Sequence, residues 1–161
     1  MNIRSTGGIL NEFYLVPWNH SGFRKLEFAK TITEVLQTLR RLKLSIVVDS
    51  FDGLGPLEGI CDWFEAISGM NKLECIEIHL DVLFYKPHDD DWRRLEEILL
   101  KSGWPELKRV SLTLTFDDQS TTEYELAQKF DADTLFPRLS RSKQLDFQFS
   151  AGFSIPSDEY D

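Results

Sequence analysis

Gly53-Leu-Gly55-Pro-Leu-Glu-Gly59 carries glycines at the spacing of a turn that cradles a phosphate between a strand and a helix. Pro56 removes a backbone donor where the phosphate would lie and Glu58 repels it, so a structural turn is the simpler reading. His88-Asp89-Asp90-Asp91 offers the ligand types of a cation site, but consecutive carboxylates on a turn rarely converge on one ion and no spaced partner accompanies them. The run suits the cap and first turn of a helix instead. His79, with Asp81 two residues on and Ser45 and Thr113 expected on the flanking strands, has the residue types of a hydroxyl–imidazole–carboxylate device. Nothing in the sequence supplies an oxyanion hole or a closed pocket for it, so an exposed histidine is expected. Neither cysteine reads as a nucleophile: Cys61 belongs to a helix stripe that faces the core, and for Cys75 a reactive thiol is the lesser alternative, resting on the expected neighbours Arg41 and Arg109, whose charges would lower its pKa. No catalytic residue, cofactor or metal follows from these patterns.

The elements that would position these residues follow from an internal repeat. Ser68-Gly-Met-Asn-Lys-Leu-Glu74 aligns with Ser102-Gly-Trp-Pro-Glu-Leu-Lys108, and the flanking sequence keeps the same step. Leu39-x-x-Leu42-x-Leu44-x-Ile46, Leu73-x-x-Ile76-x-Ile78-x-Leu80 and Leu107-x-x-Val110-x-Leu112-x-Leu114 are three copies in register. A weaker fourth, Leu145-x-Phe147-x-Phe149, sets Leu145 against Val110, with Ser142 in place of the leading leucine. Each copy ends in the two-residue alternation of a half-buried strand. Between copies the period becomes helical: Leu57, Ile60, Cys61, Phe64 and Ile67 share one face, as do Trp92, Leu95, Ile98 and Leu99, and as do Ile32, Val35, Leu36 and Leu39. The remaining polar positions of these helices are expected in solvent. Thr31-x-x-Glu34 and Thr122-x-x-Glu125 are capping boxes, and Gly69 and Gly103 mark helix ends. These signals predict helices over 31–39, 56–68, 90–102 and 122–132 and strands over 41–48, 75–82, 109–116 and 144–149. Trp63, Trp92 and Trp104 fall at repeat boundaries, where they would seal one repeat on the next, and Trp18 is a candidate contact residue. Residues 9–16 form a further candidate strand, in which nearly the same step sets Ile9 against Leu42 and the inward face is undecided.

Identical strand–helix units in succession make parallel strands with right-handed crossovers. Lys43, Ser45, Glu77, His79, Asp81, Arg109, Ser111 and Thr113 alternate with the apolar positions, so one sheet face is polar and the helices lie on the other. The predicted fold class is therefore α/β, a short leucine-rich-repeat-like right-handed solenoid with parallel strands on the concave face and helices on the convex one. One domain spans 1–153, with its clear repeat core at 31–149, a partial first repeat at 1–30 and an acidic flexible tail at 154–161. The register of the repeat lines up Arg41, Cys75 and Arg109, then Lys43, Glu77 and Ser111, then Ser45, His79 and Thr113, with Asp81 beyond. These polar positions are the candidate partner-binding residues, and Lys43 and Glu77 are expected to pair across strands.

The L-x-x-L-x-L cores resemble the leucine-rich-repeat motif, with Val47, Asp81 and Thr115 where that motif carries Asn or Cys. Trp92-Arg-Arg-Leu-Glu-Glu-Ile-Leu-Leu, Trp104-Pro-Glu-Leu-Lys-Arg-Val and Phe136-Pro-Arg-Leu resemble the divergent leucine-rich-repeat region of fungal F-box-type proteins, over about two-thirds of the chain. That resemblance implies a repeat face used to recognise a protein, without the F-box helix cluster that docks a ubiquitin-ligase adaptor.

The function expected is a non-enzymatic interaction or scaffold module for a protein partner. The alternative is a small doubly wound α/β enzyme that uses the 53–59 loop for a phosphate-bearing ligand. Across 161 residues, 18 Lys+Arg stand against 27 Asp+Glu, and the net charge of -9 opposes the phosphate contacts that dominate nucleic-acid and anionic-membrane binding. The two cysteines lack the spacing of a zinc site or a disulfide framework, and no apolar run has the length of a membrane span, so a cytoplasmic or nuclear protein is expected. The apolar 1–30 flank makes a poor cap for a repeat stack and is expected to drive self-association through the N-terminal edge.

Overall fold

The structure, a computed structural model, describes residues 2–6, 9–15, 38–48, 56–82, 89–116 and 130–153. It is a mixed α/β fold built on one six-stranded sheet with the strands in chain order: β1 (Asn2–Thr6), β2 (Ile9–Leu15), β3 (Arg41–Val48), β4 (Cys75–Val82), β5 (Arg109–Phe116) and β6 (Asp146–Phe153). The block from β3 to β6 is parallel and alternates with helices α1 (Pro56–Ile67), α2 (Asp89–Leu100) and the short α3 (Ala132–Leu135). β2 joins β3 in parallel, and β1 folds back antiparallel on β2. Among the described residues, no helix is long and apolar enough to cross a membrane.

The step of the repeat sets the register of the three central strands. Leu42 pairs with Ile76 and Ile76 with Val110, Leu44 with Ile78 and Ile78 with Leu112, Ile46 with Leu80 and Leu80 with Leu114. Every one of these side chains is buried, so the inward ladders are continuous. α1 begins with Pro56, whose missing N–H costs nothing at a first helical position. It buries Leu57, Ile60, Cys61, Phe64 and Ile67 against the sheet, and α2 does the same with Trp92, Leu95, Ile98 and Leu99. The acidic start of α2, Asp89 to Asp91, lies in its first turn, where the helix dipole favours negative charge.

Junctions between repeats are closed by aromatics and by backbone. Phe64 meets Trp104 edge-on at 5.4 Å and Trp92 meets Phe136 at 5.7 Å, the sealing role expected of these tryptophans. After α1, Gly69 takes φ +79°, a conformation that strains any residue with a Cβ, and its N–H donates to the carbonyl of Gly103 at 2.7 Å. Gly103 has no room for a side chain, because a Cβ there would run into the Ser68 hydroxymethyl group. The two glycines that align in sequence thus touch in space.

Four local expectations need correction. Phe13, not Ile9, pairs with Leu42, so the first unit is shorter than the repeat implies. Val110 pairs with Phe147 and not with Leu145, which lies in the turn before β6; the Ser142 hydroxyl accepts the N–H groups of Gln144 and Leu145 there and holds that turn. Residues 38–40 form the approach to β3 rather than a helix end, and Ala132 opens its own helix, capped by Asp131, whose carboxylate accepts the Thr134 N–H at 3.1 Å. The predicted helical residues 31–37 and 122–129, the 51–55 part of the glycine-rich loop, His88, Trp18 and the tail 154–161 lie outside the described residues.

Candidate functional site

The polar face expected of the strands is present. Side chains that alternate with the buried ladders are exposed or half-buried: Arg41, Lys43 and Arg109 are exposed, while Ser45, Glu77, His79, Asp81, Ser111 and Thr113 are half-buried. Register sets Arg41, Cys75, Arg109 and Asp146 side by side, then Lys43, Glu77, Ser111 and Gln148, then Ser45, His79, Thr113 and Ser150. The structure therefore brings the sequence-named residues onto one surface. It adds Asp146, Gln148 and Ser150 from the last strand.

Ion pairs link the strands. Lys43 Nζ lies 3.6 Å from Glu77 Oε2, the cross-strand pair foreseen, and Arg109 Nε donates to Asp146 Oδ2 at 2.7 Å. Each is exposed and stabilises by at most about 1 kcal/mol. From β3 to β6 this face carries three cations, Arg41, Lys43 and Arg109, against the three carboxylates of Glu77, Asp81 and Asp146. It is balanced on a chain of net charge -9, so the acidic excess lies elsewhere. Along the rim below, Arg40 pairs with Glu74 at 3.2 Å and with Glu106, and Lys108 Nζ donates to Glu74 at 2.8 Å. The hydrogen bond from Lys108, helped by its charge, holds the Glu74 carboxyl below its ordinary range.

His79 has the only cluster on this face with the residue types of catalysis among the described residues. Its Nε2 lies 2.9 Å from Asp81 Oδ1 and 2.9 Å from Thr115 Oγ1. The hydroxyl partner is thus Thr115, diagonal to His79, rather than Ser45 or Thr113. In a hydroxyl–imidazole–carboxylate relay the acid holds one ring nitrogen and the nucleophile the other. Here both contacts converge on Nε2, so Asp81, His79 and Thr115 do not form that relay; they fix the orientation of the ring.

The lesser alternative for Cys75, a thiol made reactive by Arg41 and Arg109, is disfavoured. Burial and then the Glu77 carboxylate push its thiol up, and the opposing influence of Arg41 and Arg109 is smaller. The thiolate is disfavoured, because desolvation of a half-buried sulfur outweighs two cations whose charge is spread into water. Cys61 is fully buried in α1. Among the described residues no group of three or more His, Cys, Asp or Glu could hold a metal ion.

A groove of about 370 Å³ lies between α2 and the 134–138 segment, lined in part by Trp92, Arg93, Glu96 and Arg138. Glu96 was expected in solvent, yet it is 3% exposed and its Oε1 accepts the backbone N–H groups of Arg138 at 2.7 Å and Leu139 at 3.0 Å. Its Oε1 thereby holds the 138–139 backbone against α2. Among the described residues the strand order runs from β1 to β6 without reversal, so these strands form no switch point of the kind at which doubly wound enzymes bind ligands. Comparison with known proteins returns no matching family model, no similar curated protein and no similar solved structure.

Proposed function

We propose that the chain is a non-catalytic protein-binding or scaffold module, a short leucine-rich-repeat-like solenoid that receives its partner on the strand face. One observation carries the reading: four parallel strands present row after row of unlike polar side chains on the sheet face opposite the helices. A charge-balanced strip with hydroxyl, imidazole, carboxylate and guanidinium groups suits a polar protein surface, whereas small-molecule sites are enclosed and largely apolar. The convergence of Asp81 and Thr115 on one nitrogen of His79 supports a recognition role for that residue over a catalytic one. On the sequence resemblance, the module is the substrate-recognition part of an F-box-type protein.

The test is affinity capture with the chain as bait, comparing the unaltered protein with a Glu77→Lys, Arg109→Glu double variant and a Glu97→Lys control on α2. A partner retained by the control and bound at least ten-fold more weakly by the double variant is the expected result. Equal retention by all three would refute the strand-face reading. A rise in melting temperature with added nucleotide would favour the enzyme that uses the 53–59 loop.

A further inference from the structure

We propose that the outer edge of β6 is a homodimer contact, made by antiparallel pairing with β6 of a second copy. β6 has β5 on one side and, among the described residues, no strand on the other. It pairs with β5 along its whole length without a register break, and it contains no Lys or Pro. Asp146, at its first position, is its sole charge. Natural edge strands are usually blunted by shortness, bulges, prolines or central charges, and β6 has none of these. The opposite edge does. β1 is short, with a register break between Arg4 and Thr6 and an arginine in its middle. Self-association is therefore drawn to the C-terminal edge rather than to the N-terminal one expected from composition.

The inward row of β6 also needs cover. Phe147, Phe149, Ala151 and Phe153 are half-buried, whereas their lateral neighbours Val110, Leu112, Leu114 and Phe116 are 0%, 2%, 1% and 7% exposed. The strand's own sequence fits a second copy. Antiparallel pairing opposes residues of the same face, so a two-fold axis must pass through a residue and not between two. With the axis at Ser150, Phe147 stands opposite Phe153, Phe149 opposite Ala151, and Gln148 opposite Gly152, so that a large side chain meets a small one at two of the three pairings. The two Asp146 carboxylates fall at opposite ends, and no like charges meet across the seam. A two-fold axis normal to the sheet keeps the helices of both copies on one side and both polar faces on the other. The strand face is thereby doubled, and the contact stands whether or not that face binds a protein.

Light scattering on the full chain during size-exclusion chromatography, over a concentration series, is expected to show mass rising from 18.7 kDa toward twice that value. Ser150→Lys would set two ammonium groups face to face on the axis. Ser150 is exposed, with only a 3.2 Å hydrogen bond to Thr113, so the substituted monomer should keep its circular dichroism while association weakens at least ten-fold. Ser150→Cys in a Cys75→Ser background should cross-link to a dimer with a short bismaleimide. A strict monomer at all concentrations overturns the proposal, as does a dimer that survives Ser150→Lys or one that is lost on substitution in β1 instead.

Discussion

Replacing Glu96 by Ala should be among the most damaging single changes to a polar residue of this protein, and the cost can be worked from two hydrogen bonds. Glu96 Oε1 accepts the N–H groups of Arg138 and Leu139 at 2.7 and 3.0 Å from within the core, so it holds the segment after α3 on the side of α2. A buried donor left without an acceptor costs about 1–3 kcal/mol. The Leu139 N–H is wholly buried and belongs near the middle of that range, while the partly accessible Arg138 N–H can recover water and belongs at its foot. The sum is about 3 kcal/mol, a large share of the roughly 5–15 kcal/mol by which a folded domain exceeds its unfolded chain. For a chain of this size each kcal/mol lowers the melting temperature by about 2–4 °C, so Glu96→Ala should lose about 6–12 °C. Glu96→Gln keeps an acceptor oxygen in place and forfeits only the charge assistance, about 1 kcal/mol. Glu97, exposed on the same helix, is the control, and its replacement by Ala should move the midpoint by about 1 °C or less. Differential scanning calorimetry, with urea titrations to confirm equal slopes, reads all three. Glu96→Ala melting with the unaltered protein, or Glu96→Gln falling as far as Glu96→Ala, would refute the assignment of these bonds as structural.

The Glu74 carboxyl is held below its ordinary range by the Lys108 hydrogen bond, so its contribution is complete above its usual value of 4.5 and is lost as the pH falls through the lowered one. Lys108→Met should therefore lower the melting temperature at neutral pH and converge with the parent by about pH 3; a difference that persists unchanged into acid would show that the pair acts through packing. The Cys75 thiol is pushed up by burial, and at neutral pH it should react with iodoacetamide more slowly than a free thiol such as glutathione, gaining rate as the pH is raised. A faster reaction than glutathione would mean that Arg41 and Arg109 win after all.

The parts of the fold legible in the sequence are those where one residue's position repeats another's. Strands 41–48, 75–82 and 109–116 emerge with their observed limits, because a constant step between copies and a period of two leave a single register in which the rows led by Leu42, Leu44 and Ile46 all point inward. The same reasoning slipped at both ends of the sheet. Before β3 the step shrinks, from Phe13 to Leu42, and before β6 it grows, from Val110 to Phe147. A copy with its own spacing cannot be set by its neighbours', and two apolar residues a position or two apart, such as Leu145 and Phe147, compete equally for the same slot. A slip of two residues keeps each side chain on its face, so Asp146, Gln148 and Ser150 stay on the polar side and only their row partners change.

What periodicity could not show is which polar side chains the interior would claim. Glu96 lies beside a stripe of Trp92, Leu95 and Leu99 and reads as solvent-facing until the chain returns, much later in the sequence, with two N–H groups that need an acceptor. Asn71 is the more instructive case. The motif that the L-x-x-L-x-L cores resemble has Asn or Cys three positions after the last leucine, where this chain has Val47, Asp81 and Thr115 inside β3, β4 and β5. Asn71 stands before the strand instead, in the turn that leads from α1 to β4, and is 5% exposed. Its Nδ2 donates to the carbonyls of Ile67 at 3.0 Å and Gly103 at 3.2 Å, and its Oδ1 accepts the Leu73 N–H at 3.2 Å. A turn buried between two repeats leaves backbone groups that water cannot reach, and a short amide side chain can satisfy a donor and acceptors on both repeats at once. Asn71 meets that need where Gly69 approaches Gly103, a contact between distant parts of the chain that periodicity along the sequence does not mark.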